Sequence, residues 1–180
     1  MKYMTPELYA GLQFASVEEA QALDDEWESN GAKYRAFLAA IGDRLPASVR
    51  EFLDRAGLHD AELRGFETDP ASGTAAAVAV LNLRLRNRLY TLYYDLLEPP
   101  VRTAVEVGLT PEQHRKVWAT AETPEWLYDE FDVLGDPADP SGFVHEILLS
   151  TGEILRLAFF GFDWHVHDLD AAFAGMPTRR

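Results

Sequence analysis

The sequence predicts an α+β fold in which helices from the first third pack on a mostly antiparallel sheet of about five strands. Two observations predict it. Apolar residues recur at helical spacing up to Gly57 and at a spacing of two afterwards. The second part also carries two hairpin patterns, each a pair of apolar runs around a short polar break. A chain of 180 residues suits one folding unit, with a helical segment over 1–57 and a β-rich segment over 58–180 that includes a short helix near 111–120.

Thr5-Pro6-Glu7 starts the first helix, because Thr caps, Pro is tolerated at the first helical position and Glu complements the dipole. Ser16 to Glu19 forms a capping box for a longer helix, and Ala20, Leu23, Trp27, Tyr34, Phe37, Leu38 and Ile41 follow as one apolar stripe. Asn30-Gly31 is expected to split that helix, since Gly costs roughly 1 kcal/mol there relative to Ala. Leu45-Pro46 ends it, and a short helix with Val49, Phe52, Leu53 and Ala56 stops at Gly57.

His59–Glu67 reads as the first strand and Asp69–Gly73 as a turn cluster. Residues 76–86 and 89–97 read as a hairpin closed at Asn87-Arg88. That pattern puts Leu81, Leu83, Leu85, Tyr90, Leu92 and Tyr94 on a core face, and Arg84, Arg86, Tyr93 and Asp95 on a wetter one. Glu98-Pro99-Pro100 breaks the sheet, and Thr110-Pro111-Glu112-Gln113 opens a short helix. Residues 124–133 carry a helix start at Thr123-Pro124-Glu125 but a strand-like density of Trp, Tyr, Phe and Val, and the strand reading is preferred. A polar loop over 135–142 precedes a second hairpin, in which Thr151-Gly152 joins two apolar runs with Ser150 opposite Glu153 and His145 opposite Ala158. In its second run Leu155, Leu157 and Phe159 alternate with Ile154, Phe160, Phe162 and Trp164, so both faces are apolar. Such a strand is either central or docks a partner.

Composition narrows the function. An apolar fraction of 47% with 12% aromatic residues fits a folded globule. Thirty acidic against 16 basic residues give a net charge of −14, which repels a phosphate backbone, so no nucleic acid is expected as partner. The absence of cysteine excludes a disulfide framework, thiolate zinc sites and thiol nucleophiles, and it suits a reducing compartment. Without a membrane-length apolar run or an apolar leader, a cytoplasmic protein with no membrane partner is expected.

The candidate chemistry is scattered. Asp163, His165 and His167 share one strand face near the C-terminal end, and a His-x-His pair on a strand can hold one metal through two imidazoles. Extrapolated hairpin register places His165 opposite Ala138 and His167 opposite Asp136, leaving Asp136 and Asp139 as the local acids. It leaves His145 about 23 Å from His165 at roughly 3.3 Å per residue. Solvated histidines at a strand end are the preferred reading. His59-Asp60 invites an acid–base dyad, against the simpler reading of polar side chains bonding backbone at a helix–strand corner. His145-Glu146 begins like a zinc-protease helix, but Leu149 stands where the second His belongs. Arg84 and Arg86, beside Tyr93, could grip an anionic group bidentately; the alternative is a solvated face balanced by Glu130 and Asp132 on a neighbouring strand. There is no Gly-rich phosphate loop, no nucleophile elbow and no cofactor motif, so no cofactor is expected.

Met1–Tyr9, the Leu58–Leu63 stretch "LHDAEL", "WLYDEFDV" over 126–133 and the terminal "FFGFDW" resemble a family of bacterial proteins catalogued as a domain of unknown function. The resemblance implies an N-terminal helical segment and a C-terminal sheet, and no activity or residue role. The residues favour a non-enzymatic module of immunity or regulatory type that binds a protein partner with a basic surface. A metal-dependent enzyme at His165/His167 and an anionic-ligand binder at Arg84/Arg86 are the alternatives.

Overall fold

The computed structural model describes residues 1–83, 86–118 and 122–170. Among them are four α-helices. The first, α1 (Pro6–Leu12), takes Thr5 as its N-cap. The second, α2 (Val17–Ile41), starts at Ser16 with both halves of the capping box formed. It runs unbroken through Asn30-Gly31, against the expected split, because a cost of roughly 1 kcal/mol for one glycine does not break a helix that the N-terminal segment crosses and braces at that point, with the Met4 terminal methyl 3.4 Å from where a Gly31 Cβ would sit. Asn30 Nδ2 donates to the Tyr3 carbonyl at 3.1 Å and ties that segment to the helix. A 3-10 turn at Gly42–Arg44 leads to α3 (Ala47–Arg55). The fourth helix, α4 (Pro111–Val117), repeats the capping box at Thr110 and Gln113.

The sheet is wholly antiparallel and has seven strands rather than about five: β1 (Ala61–Asp69), β2 (Thr74–Leu83), β3 (Arg86–Leu96), β4 (Val101–Ala104), β5 (Glu125–Asp136), β6 (Asp139–Leu149) and β7 (Glu153–Asp168). Of the stretch 124–133, residues 125–133 are strand, as preferred, within β5. β4 is a strand with no counterpart in the sequence reading: after Pro99-Pro100 the chain resumes pairing, now along β7, with Val101 opposite Arg156. The strand order is β3-β2-β1-β5-β6-β7-β4, and an additional β3–β7 pairing closes six strands into a circuit. Each of the six strands thereby has a neighbour on both sides, although β1 meets β5 over only two residue pairs, Ala61 with Trp126 and Glu62 with Glu125.

Both hairpin registers differ from expectation. Leu83 pairs with Arg86 and Leu81 with Arg88, so Asn87 and Arg88 lie within the ladder and not at its closure; Leu85 lies outside the described residues. The slip is even, so the faces survive: Ala75, Ala77, Ala79, Leu81, Tyr90, Leu92 and Tyr94 are all buried. In the β6–β7 hairpin Leu149 faces Glu153 and His145 faces Leu157, one residue from the expected pairing, because Ser150 leaves the ladder and bonds Glu125 through backbone and side chain.

Beyond Phe159, β7 parts from β6 and pairs with β3, so His165 lies opposite Thr91 and His167 opposite Leu89, not beside the 135–142 loop. That loop is itself a tight turn, with Asp136 paired to Asp139. A bulge at Phe160 reverses the alternation. Phe162 thereby joins Leu155, Leu157 and Phe159 inside, Trp164 packs against them, and Phe160 is left exposed. This resolves the two-faced strand: its faces exchange roles at the bulge.

The third helix fills the opening where β6 and β7 diverge. The Ser48 hydroxyl donates to the Phe162 carbonyl, satisfying a group that a strand would otherwise pair. Phe52 lies edge-on against Phe131, Phe162 and Trp164, with ring centroids 5.5 to 5.9 Å apart. A second cluster forms outside the circuit, where Ala10, Val117, Trp118, Leu127 and Leu148 bind α1 and α4 to the sheet. No helix among the described residues is long and apolar enough to cross a membrane.

Candidate functional site

Two stretches distant in sequence converge on β5: the N-terminal segment and the α3–β1 corner. Glu130 is buried and accepts the backbone N–H groups of Lys2, Tyr3 and Met4 at 2.7, 2.9 and 2.5 Å. The Lys2 ammonium pairs with Asp132 and the Met1 amine with Glu146. Glu130 and Asp132 therefore hold the N-terminal segment; β5 neighbours β1 and β6, so they do not balance a basic face on β2–β3 as the sequence suggested.

Leu127 is the bulge residue of β5 and has no cross-strand partner. Its carbonyl is taken by His59, whose Nδ1–H donates at 2.5 Å while the ring stacks on Tyr128 at 4.8 Å. The backbone-bonding reading of the corner holds for His59. Asp60 does come near it, at 3.6 Å from Nε2, because Asp60 is the corner residue itself, at φ 65, and β1 begins only at Ala61. The opposite-face rule for adjacent strand residues does not reach that position.

The buried polar centre is a set that the sequence did not single out. His145 is fully buried in the circuit and stacks on Phe131 with centroids 3.9 Å apart. Its Nε2 lies 3.0 Å from Asp129 Oδ2 and its Nδ1 lies 2.9 Å from the Tyr94 hydroxyl. A carboxylate only accepts, so Nε2 carries the proton; in that tautomer Nδ1 accepts from Tyr94. Trp126 Nε1–H completes the chain by donating to Asp129 Oδ1 at 3.0 Å. The available hint was alternation: His145 shares its face with Ile147 and Leu149, and an imidazole on an apolar face needs polar partners.

Asp129 is where this chain reaches the surface. It borders a cavity of about 250 Å³ between α3, the corner and β5, walled by Phe52, Leu53, Leu58, Leu127 and the aromatic Tyr34 and Tyr128, with His59 and Met4 also on its lining. Asp129 is the only carboxylate among those lining residues. Burial pushes the Tyr34 hydroxyl far above the ordinary phenol range, and the charges of Asp129, Glu130 and Asp132 push it further. Tyr128 is raised by burial, then by Tyr9 and Asp60, and Tyr94 by burial and Asp129. Each phenol thus senses a negative field from this side of the molecule.

The other candidates are placed elsewhere. Asp163 and His165 approach to 3.8 Å on an exposed face, and His165 meets the exposed Tyr93 edge-on at 5.9 Å across β3–β7. Among the described residues no three His, Cys, Asp or Glu side chains are grouped to hold a metal ion. Arg84 lies outside the described residues, and Arg86 is placed by its backbone pairing with Leu83. The site is thus one cavity with one carboxylate, braced from within by two N–H donors. No protein-family model and no curated protein matches this chain, and what the site does is read from its own chemistry.

Proposed function

We propose that this chain is a binding module for a partner with a basic surface, and that the cavity beside Asp129 is its recognition site. The observation that carries the reading is the pairing of an apolar cavity with a single internal carboxylate, on a chain whose net charge is −14. Charge of that sign accelerates encounter with a cationic surface, and a preformed cavity at the point of contact supplies specificity. Asp60, beside His59 on the rim, adds a solvent-exposed charge. His145, itself fixed by Tyr94, holds Asp129 in place, and neither is exposed, so their role is to orient the carboxylate and not to meet a partner.

The test uses a lysine-rich peptide as probe and two double variants that remove the same total charge. Asp60→Asn with Asp129→Asn should weaken association about 10-fold or more, whereas Asp69→Asn with Asp163→Asn should weaken it only about two- to three-fold through the general field. Equal losses in the two variants, or association that is insensitive to salt, would sink the reading. Asn is tolerated at position 129: its amide can donate to His145 Nε2, which shifts the ring proton to Nδ1 and keeps the Trp126 bond.

A further inference from the structure

We infer that the cavity beside Asp129 receives the side chain of one lysine of that partner, its methylene stem between Phe52, Leu53 and Leu58 and its ammonium against Asp129. The inference rests on the basic-partner reading and goes further, to the kind of anchor.

Three features select this occupant. The first is size. At about 250 Å³ the cavity falls below the roughly 300–1,000 Å³ of sites for drug-sized ligands. A single anchor side chain, of the kind that dominates protein interfaces, suits it better. The second is the order of its lining. Apolar groups from α3 and the corner form the walls, while β5 contributes Asp129 and the Tyr128 ring, and α2 adds the ring of Tyr34. An amphipathic side chain with an apolar stem and a cationic head matches that sequence of surfaces, and the aromatic rings attract the cation further.

The third feature separates lysine from arginine. Both oxygens of Asp129 already accept one N–H each, Oδ1 from Trp126 and Oδ2 from His145. A guanidinium gains its advantage by forking two parallel bonds onto both oxygens of a carboxylate. An ammonium needs only one free lone pair as a compact point charge. The two donors thus occupy one acceptor site on each oxygen of Asp129 and limit the geometry that a fork requires.

Trp126 supplies the reporter. Its indole N–H bonds the same carboxylate, so its ¹H–¹⁵N resonance should move when a cation engages Asp129. The full chain, ¹⁵N-labelled, would be titrated with butylammonium, butylguanidinium and neutral butanol. Saturable movement of the Trp126 signal with butylammonium is expected, with butanol and butylguanidinium each at least several-fold weaker. Asp129→Asn should weaken butylammonium binding about 10- to 100-fold, and Asp69→Asn should leave it unchanged.

Butanol binding as well as butylammonium would overturn the inference, because the cavity would then be merely apolar. Butylguanidinium binding more tightly would replace lysine by arginine. If the lysine-rich peptide binds through Asp60 and Asp129 but butylammonium does not compete with it, the lysine anchor fails and the basic-partner reading stands. If butylammonium binds and the peptide does not, both fail in favour of a free small amine.

Discussion

His145 has no route to solvent, so each ring nitrogen must find its partner among side chains. Tyr94 satisfies Nδ1 and Asp129 satisfies Nε2, and the imidazole is held between Phe131 and Phe52. The phenol oxygen and the imidazole are a matched pair, and removing one partner leaves the other's buried polar atom unsatisfied. Tyr94→Phe should therefore destabilise the fold by about 1–3 kcal/mol although it deletes only one oxygen. The check is the midpoint of urea unfolding at unchanged slope. His145→Leu combined with Tyr94→Phe should recover part of that loss, since replacing both polar partners by apolar groups removes the unsatisfied atom. A double variant less stable than the sum of the singles would contradict this account of the pair. Asp129 differs from the other two members because part of it reaches solvent, which is why the chain of bonds ends in a site and not in a closed structural knot.

At the scale of single elements, two glycines behave oppositely. Gly31 lies inside α2 with only the far ends of Met4 and Arg35 at 3.4 Å from a would-be Cβ. Gly31→Ala should stabilise the chain by about 0.5–1 kcal/mol through helix propensity. Gly152 has φ +77 and a Cβ there would lie 2.9 Å from the Trp118 ring, so Gly152→Ala should destabilise by about 1–3 kcal/mol through strain and displacement of that ring. Thermal midpoints of the two variants, moving in opposite directions, check both. The same contrast between local and distant causes explains which features are legible in the sequence. Capping boxes at Ser16 and Thr110 act within one turn, and alternation from Ala75 to Leu81 and from Tyr90 to Tyr94 acts within one strand, so the elements and the faces of that hairpin can be read directly. The bulges at Leu127 and Phe160 depend on neighbours that sequence does not display, and each redirects the chain locally: one frees a carbonyl for His59, the other turns Phe162 inward. The candidate site is hidden from the sequence for a related reason. Asp129, His145 and Tyr94 lie on three strands, and only the closing of the circuit brings them together.

For the whole molecule, the consequence of building phenols into an acidic globule is a vulnerability to alkali. Burial raises the pKa of Tyr94 well above its ordinary 10.0, with Asp129 adding to the shift, and Tyr34 is raised by burial and three nearby carboxylates. In the unfolded chain both phenols release their protons near pH 10, while the native state keeps them. Above pH 10 the unfolded state binds fewer protons, so stability falls as pH rises. The contribution of each phenol is fully present below pH 10 and declines by about 1.4 kcal/mol per pH unit until the folded pKa is reached. Absorbance at 295 nm and circular dichroism recorded together provide the measurement. Of the seven tyrosines, Tyr34 and Tyr94 should ionise only in step with the loss of secondary structure. Added salt separates this cause from general repulsion among the 30 acidic residues. Screening should raise stability at neutral pH by weakening surface repulsion, but it should leave the onset of the alkaline transition near pH 10, because the reluctance of a buried phenol to ionise comes from its lost hydration. Seven phenolates counted while the far-UV spectrum stays native would contradict the sealed position of Tyr94, and with it the rigid support that orients Asp129 toward the cavity.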